Sequence, residues 1–143
     1  MNKEQQLIYN ELVSKYDFNR WQKEEIELGL KKNLDVSWYV KPEFTWGRME
    51  EIRKGLEESI DVSIYAKPEF TYDQMVQIRL GLMKKLDVSI YAIIEFNSNQ
   101  MLQIRKGLEN GIDVSSYLNP SIKWDEMRKI RNTLIQLENN CKR

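Results

Sequence analysis

The chain has 143 residues, 41% hydrophobic and 31% charged, so it carries enough apolar material for one continuous core and is not expected to be disordered. Its 22 basic and 22 acidic residues balance, which disfavours nucleic-acid binding, where a basic excess is normal. The apolar runs are too short to span a membrane, and neither the start of the chain nor its single cysteine, Cys141, indicates export, so no membrane association and a cytoplasmic location are expected.

A pattern of 26 residues repeats along the chain, and successive copies start at Phe18, Phe44, Phe70, Phe96 and Ile122. Each unit of such an array can bury its apolar face only against its neighbours. The sequence therefore predicts an all-α, short-repeat α-solenoid in which each unit is a long helix followed by a short one, all within a single domain. The predicted parts are an N-terminal cap helix at 1–17, repeats at 18–43, 44–69, 70–95 and 96–121, and a closing helix at 122–143.

The long helix of each repeat is predicted to start at a polar cap residue. A short polar side chain there can accept a hydrogen bond from a free amide of the first helical turn. In the third and fourth repeats, Gln74 and Gln100 fall at the third helical position, which permits a reciprocal capping box. The four cap residues are Asn19, Thr45, Thr71 and Asn97.

The core face of the long helix is marked in the second repeat by Met49, Ile52, Leu56 and Ile60, which are spaced as one apolar stripe. Gly55 interrupts this helix. A glycine inside a helix costs about 1 kcal/mol relative to alanine, so its recurrence indicates a packing reason, most simply the close approach of a neighbouring backbone. The alternative is that each helix ends near the glycine. The equivalent residues are Gly29, Gly81 and Gly107.

The second half of each repeat carries the sequence Asp-Val-Ser-x-Tyr. Asp61 suits a helix N-cap, so a short helix of about five residues is predicted to follow it and to bury Val62, Tyr65 and Ala66. Pro68 then closes the unit in extended backbone. The last unit lacks this segment, which is why it is interpreted as a closing helix.

The unit FTYDQMVQIRLGLMKKLDVSIYA, residues 70–92, resembles a short tandem repeat of uncharacterised proteins from Gram-positive bacteria and from their phages and mobile elements. The resemblance extends over residues 18–134. It implies no activity, cofactor or catalytic residue. Through the association with mobile elements, the resemblance implies an inhibitor that antagonises a host defence protein.

The composition argues against an enzyme. The chain has no histidine, which removes the commonest general base and transition-metal ligand, and its glycines form no phosphate-binding loop. Adjacent carboxylates could do acid and base chemistry in principle, but neighbouring residues of a helix face different directions, so they are expected to be solvated. These pairs are Glu24 with Glu25, Glu50 with Glu51 and Glu57 with Glu58. No cofactor, metal or catalytic residue is therefore predicted.

A recurring arginine leaves two interpretations open. It could bind phosphates or an acidic partner, or its stem could pack at the core edge while its guanidinium pairs with the aspartate of the same or a neighbouring unit. The arginines are Arg53, Arg79, Arg105 and Arg131, and the aspartates are Asp35, Asp61, Asp87 and Asp113.

Aromatic residues in the first helical turn, Trp46, Tyr72 and Trp124, also leave two interpretations open. They could pack between repeats, or they could stack on the bases of single-stranded nucleic acid. Trp38, which replaces Ile64 and its equivalents, is equally ambiguous.

An apolar substitution on the outer face of the third long helix is the strongest functional signal. Glu50, Lys54 and Glu57 form a polar stripe in the second repeat, but the same places in the third repeat are apolar, and clustered exposed apolar residues mark interaction surfaces. We predict a non-enzymatic module that binds a protein partner or a second copy of itself; a nucleic-acid-binding helical repeat is the alternative. The predicted contact residues are Val76, Leu80, Met83, Leu102, Ile93 and Trp38.

Overall fold

The computed structural model describes residues 1–142, and all the regular secondary structure in that range is helical. The all-α repeat fold is thus confirmed; the last residue of the predicted closing helix, Arg143, lies outside the described residues. The α-helices are α1 (Lys3–Lys15), α2 (Arg20–Lys31), α3 (Trp46–Glu57), α4 (Tyr72–Met83), α5 (Ser98–Glu109) and α6 (Trp124–Cys141). The short 3-10 helices are η1 (Val36–Trp38), η2 (Val62–Ile64), η3 (Val88–Ile90) and η4 (Ser115–Tyr117).

The described residues group into two compact units, Met1–Arg79 and the residues from Leu80 onward, and the boundary falls inside α4. In the first unit α1 packs on α2 and α2 on α3; in the second unit α5 packs on α6 and α6 on η4. Helices that follow each other in sequence therefore pack together, as a tandem array requires. A single domain over the whole chain stays a prediction.

The predicted capping boxes are present at the starts of the long helices. The amide of Gln100 donates to Asn97 Oδ1 at 2.8 Å, and the amide of Asn97 donates to Gln100 Oε1 at 2.9 Å. Thr71 and Gln74 form the same pair. The capping glutamine has a further role that the sequence did not reveal: Gln100 Nε2 donates to the carbonyl of Ile122 at 2.7 Å, where the next repeat starts. The cap of one helix thereby fixes the entry of the next.

The recurring glycine lies inside the long helix, and the expectation that a neighbouring backbone approaches it is wrong. A Cβ built on Gly55 would come under 3.0 Å from the Tyr65 hydroxyl and 2.7 Å from Val62 Cγ1, and Gly81 faces Tyr91 and Val88 in the same way. These side chains belong to the short helix of the same repeat. The glycine is therefore required by the tyrosine that lies across it.

That tyrosine fastens the short helix to the long one. Tyr65 Oη donates to the backbone carbonyl of Glu51 at 2.7 Å, and Tyr39 Oη donates to that of Glu25 at 2.6 Å. A helical carbonyl can accept this second hydrogen bond because it has two lone pairs. Burial raises the pKa of Tyr65 and Tyr39 above the ordinary range, and raises that of Tyr117 to about 12.

Each long helix ends in a left-handed residue. In the second repeat, Ser59 has φ 59°, its amide donates to the carbonyl of Leu56, and the amide of Ile60 reaches back to the carbonyl of Gly55. This ending stops the helix at Glu57, so Ile60, which was placed on the helical stripe, lies beyond it. The other left-handed residues at this place are Asn33, Lys85 and Gly111.

The second helix of each repeat is shorter than the predicted five residues. Val62–Ile64 forms a single 3-10 turn, and the Asp61 carboxylate accepts hydrogen bonds from the amide and the hydroxyl of Ser63. Val62 and Tyr65 are buried as predicted, and Ala66 is half-buried. In the fourth repeat the turn is shifted to Ser115–Tyr117.

Candidate interaction surface

The recurring arginines join neighbouring long helices, but their predicted aspartate partners are wrong. Arg53 Nε lies 2.5 Å from Glu25 Oε2, and Arg79 Nε lies 2.5 Å from Glu51 Oε2. Arg131 donates to the neutral side chain of Gln103 at 3.1 Å. Asp35, Asp61 and Asp87 instead cap the 3-10 helices. The guanidinium groups of Arg53, Arg79 and Arg131 therefore hold the fold together rather than facing a ligand.

The glutamates of these pairs are not solvated, contrary to expectation. Glu51 is only 1% exposed, and Glu25 is also buried. A buried carboxylate is tolerated when charged donors satisfy it, which the arginine of the following helix does. The pKa of Arg53 is affected most by burial, which lowers it, but hydrogen bonds and charge attraction from Glu25 and Glu57 outweigh burial and raise it overall.

The outer face of α3 is an ion-pair network. Lys54 Nζ lies 2.9 Å from Glu50 Oε1, and Glu57 Oε1 accepts from Lys32 Nζ at 2.9 Å and from Arg53 at 2.5 Å. For Glu57, burial raises the pKa, but the hydrogen bonds from Lys32 and Arg53 outweigh it and lower the pKa overall. The charged side chains of this face are therefore already paired with other residues of the chain.

The outer face of α4 has apolar side chains at the same places. Val76 and Leu80 are half-buried and Met83 is 47% exposed. In α3, Arg53 pairs with Glu57 of its own helix, but the equivalent residue of α4 is Met83. Arg79 pairs instead with Glu58, whose Oε1 lies 2.9 Å from Arg79 Nη1. The substitution therefore leaves the arginine paired and replaces only the outward-facing charges.

Leu102 extends the apolar character to α5, where it occupies the place of Val76 and is half-buried. The next two outer positions of α5 are polar again: Lys106 is exposed and Glu109 is half-buried. We call Leu80, Met83 and Leu102, which all belong to the second compact unit, the apolar stripe. Val76 lies one turn before Leu80 on the same helix.

Ile93 lies apart from the apolar stripe, and Trp38 belongs to the first compact unit. Ile93 and its neighbour Ile94 are 40% and 54% exposed in the segment after η3, and η3 packs on the side of α4 that bears Gly81. Met83 is about 160° around the helix from Gly81, so the two exposed isoleucines belong to the opposite layer. Trp38, 39% exposed, stands in η1 of the first unit.

The first-turn aromatic residues Trp46, Tyr72 and Trp124 are partly exposed. Tyr72 lies against the preceding helix, because a Cβ on Gly47 would be 3.2 Å from its ring. The guanidinium of Arg128 stands 5.2 Å from the Trp124 ring. Tyr72 therefore packs between repeats, whereas the Trp124 contact lies within α6.

One groove of the second compact unit is open and mainly polar. It has a volume of about 450 Å³ and is lined by residues that include Glu95, Gln100, Lys123, Trp124 and Asp125. Across residues 1–142 no group of histidine, cysteine, aspartate or glutamate side chains is arranged to hold a metal ion. None of the helices in that range is long and apolar enough to cross a membrane.

Comparison with known proteins adds no family: no protein-family description, curated protein or solved structure matches the chain.

Proposed function

We propose that the chain is a non-enzymatic protein-protein interaction module that binds its partner through the apolar stripe. The observation that carries this proposal is the contrast between α3 and α4. At equivalent outer positions, α3 has Lys54 and Glu57 in ion pairs, whereas α4 has Leu80 and Met83.

The contrast matters because the fold does not require apolar residues there. α3 forms the same twelve-residue helix with charged side chains at these places. Exposed apolar side chains carry a cost in water, about 25 cal/mol for each Å² that remains uncovered. A binding partner that covers them supplies the missing reason for their presence.

Two kinds of partner follow from the sequence. One is a second copy of the chain, and the other is a different protein, for which the resemblance to mobile-element repeats favours a host defence protein.

The test is a double substitution, Leu80→Glu with Met83→Glu. We expect it to abolish capture of partners from a host lysate and any self-association in sedimentation, while circular dichroism and the melting temperature stay close to those of the parent. A matched control is Leu28→Glu, because Leu28 occupies on α2 the place that Leu80 has on α4 and is 38% exposed. The control should bind normally.

Two results would contradict the proposal. If the double variant unfolds, the stripe is part of the core; Leu80→Gln with Met83→Gln then repeats the test with a smaller perturbation. If the double variant stays folded and keeps every partner, the interface lies elsewhere. Retention of nucleic acid by the parent, with protein partners absent, would favour the nucleic-acid alternative instead.

A further inference from the structure

The charges around the apolar stripe are mainly basic, whereas the outer face of α3 pairs basic with acidic side chains. Lys84, Lys85 and Lys106 are all exposed, and Lys85 and Lys106 have no carboxylate within ion-pair distance among the described residues. Lys84 Nζ stands 3.6 Å from Glu109 Oε2, with 62% of its side chain exposed. The stripe therefore has a rim of three exposed ammonium groups.

The carboxylates near this rim are already engaged. Glu109 is held by Arg105 of its own helix as well as by Lys84. Asp87, which follows shortly after the rim lysines in sequence, accepts hydrogen bonds from the amide and hydroxyl of Ser89 and so caps η3. The rim is left with an excess of positive charge, whereas the overall charge of the chain is zero.

The backbone of this surface offers nothing to an extended peptide. Leu80 and Leu102 lie inside α4 and α5, so their backbone amides and carbonyls are used within the helices, and Met83 is the last residue of α4. Recognition must therefore run through side chains, and the side-chain mode that suits an apolar stripe between polar edges is the packing of an amphipathic helix.

We propose that the partner presents an acidic amphipathic helix, with apolar residues that cover the stripe and carboxylates that meet Lys84, Lys85 and Lys106. Charge complementarity selects this occupant over a basic one, because like charges brought together at an interface raise the free energy of binding. This inference rests on the proposed function and adds the chemistry of the partner to it.

The test uses two synthetic helical peptides that share one leucine face and differ only in the flanking residues, glutamate in one and lysine in the other. Binding is measured by fluorescence anisotropy at two salt concentrations. We expect the glutamate peptide to bind about tenfold more tightly or better, and to lose affinity as salt rises. Leu80→Glu with Met83→Glu should abolish this binding.

Lysine variants separate local contacts from net charge. Lys84→Glu with Lys106→Glu should invert the preference toward the lysine peptide. Lys3→Glu with Lys67→Glu, at exposed positions of the first unit, changes the net charge equally and should leave the preference as it is in the parent. Circular dichroism establishes that each variant is folded.

The outcomes distinguish the two proposals. If the lysine peptide binds as well as the glutamate peptide and still requires Leu80 and Met83, the acidic partner is wrong and the interaction surface stands. If neither peptide binds, the acidic helix is wrong, and the lysate test of Leu80→Glu with Met83→Glu decides the interaction surface. If peptide binding is unchanged by Leu80→Glu with Met83→Glu, both proposals are wrong. If a single-stranded oligonucleotide displaces the glutamate peptide and depends on Lys84 and Lys106 but not on Leu80, the rim binds nucleic acid and the acidic helix is overturned.

Discussion

On the side of the long helices that faces the 3-10 helices, the four repeats are alike; on the outer side they differ. The inner side repeats a glycine covered by a tyrosine and a valine, and in the second repeat a Cβ on Gly55 would collide with both Tyr65 and Val62. The outer side alternates between the ion pairs of α3 and the apolar residues of α4. The fold therefore depends on the residues of the inner side, whereas the residues of the outer side can differ from one repeat to the next.

The arginine pairs provide the largest expected effect. Arg79→Met leaves Glu51, 1% exposed, without its main cationic partner and should lower the free energy of unfolding by about 3 kcal/mol. The matched variant Arg131→Met removes a hydrogen bond to a neutral glutamine and should cost only about 1 kcal/mol. Urea denaturation measures both, and Arg79→Met with Glu51→Leu should recover much of the loss. Equal costs at the two arginines would show that burial of charge is not what distinguishes them.

Substitution of the recurring glycine should give the next largest loss in the free energy of unfolding. Gly55→Ala introduces a Cβ against Tyr65 and Val62 and should cost about 1 to 3 kcal/mol despite the better helix propensity of alanine. Removing the nearest atom with Tyr65→Phe should make the same Gly55→Ala change less costly, so a double-mutant cycle should give a coupling of about 1 kcal/mol. Additive costs in this cycle would mean that the tyrosine does not set the need for glycine.

The left-handed helix ends should respond more weakly and in opposite directions. Lys85→Gly relieves a non-glycine residue at φ 59° and should raise the free energy of unfolding by about 1 kcal/mol. Gly111→Ala at φ 71° should lower the free energy of unfolding by about the same amount. Because no atom lies within 4 Å of the added Cβ, this cost comes from the backbone conformation alone. Thermal melts of the two variants check the signs; a stabilised Gly111→Ala would exclude the left-handed ending in solution.

The outer face should give the smallest effect on stability. Replacing Glu50 with valine and Lys54 with leucine gives α3 the apolar residues of α4. It breaks a half-buried ion pair while Arg79 still holds Glu51, and it should change the free energy of unfolding by less than about 1 kcal/mol. The same exchange creates a second apolar stripe, so we expect more self-association or nonspecific retention of protein in sedimentation. A large loss of stability would show that the outer side also specifies the fold.

The 26-residue repeat, the starts of the long helices and the presence of a short helix in each repeat could be predicted from the sequence. The 26-residue period, the caps Asn97 and Thr71 and their glutamines could all be read directly, because capping is a local interaction between residues three apart. The apolar substitution at Leu80 and Met83 was also visible, since it only requires comparison of one repeat with the next. Its use as a binding surface stays a prediction.

The side-chain contacts between repeats could be identified only from the tertiary structure. Glu25 and Arg53 stand 28 residues apart, and nothing in helical periodicity distinguishes this pairing from the expected one with aspartate. The adjacent glutamates were expected to be solvated because neighbouring residues of a helix face different directions. Glu25 and Glu51 are instead buried, since the arginine of the following helix packs against each of them. The tyrosine over the glycine was missed for the same reason: a contact fourteen residues away depends on how the chain turns at Ser59, where a left-handed residue ends the helix.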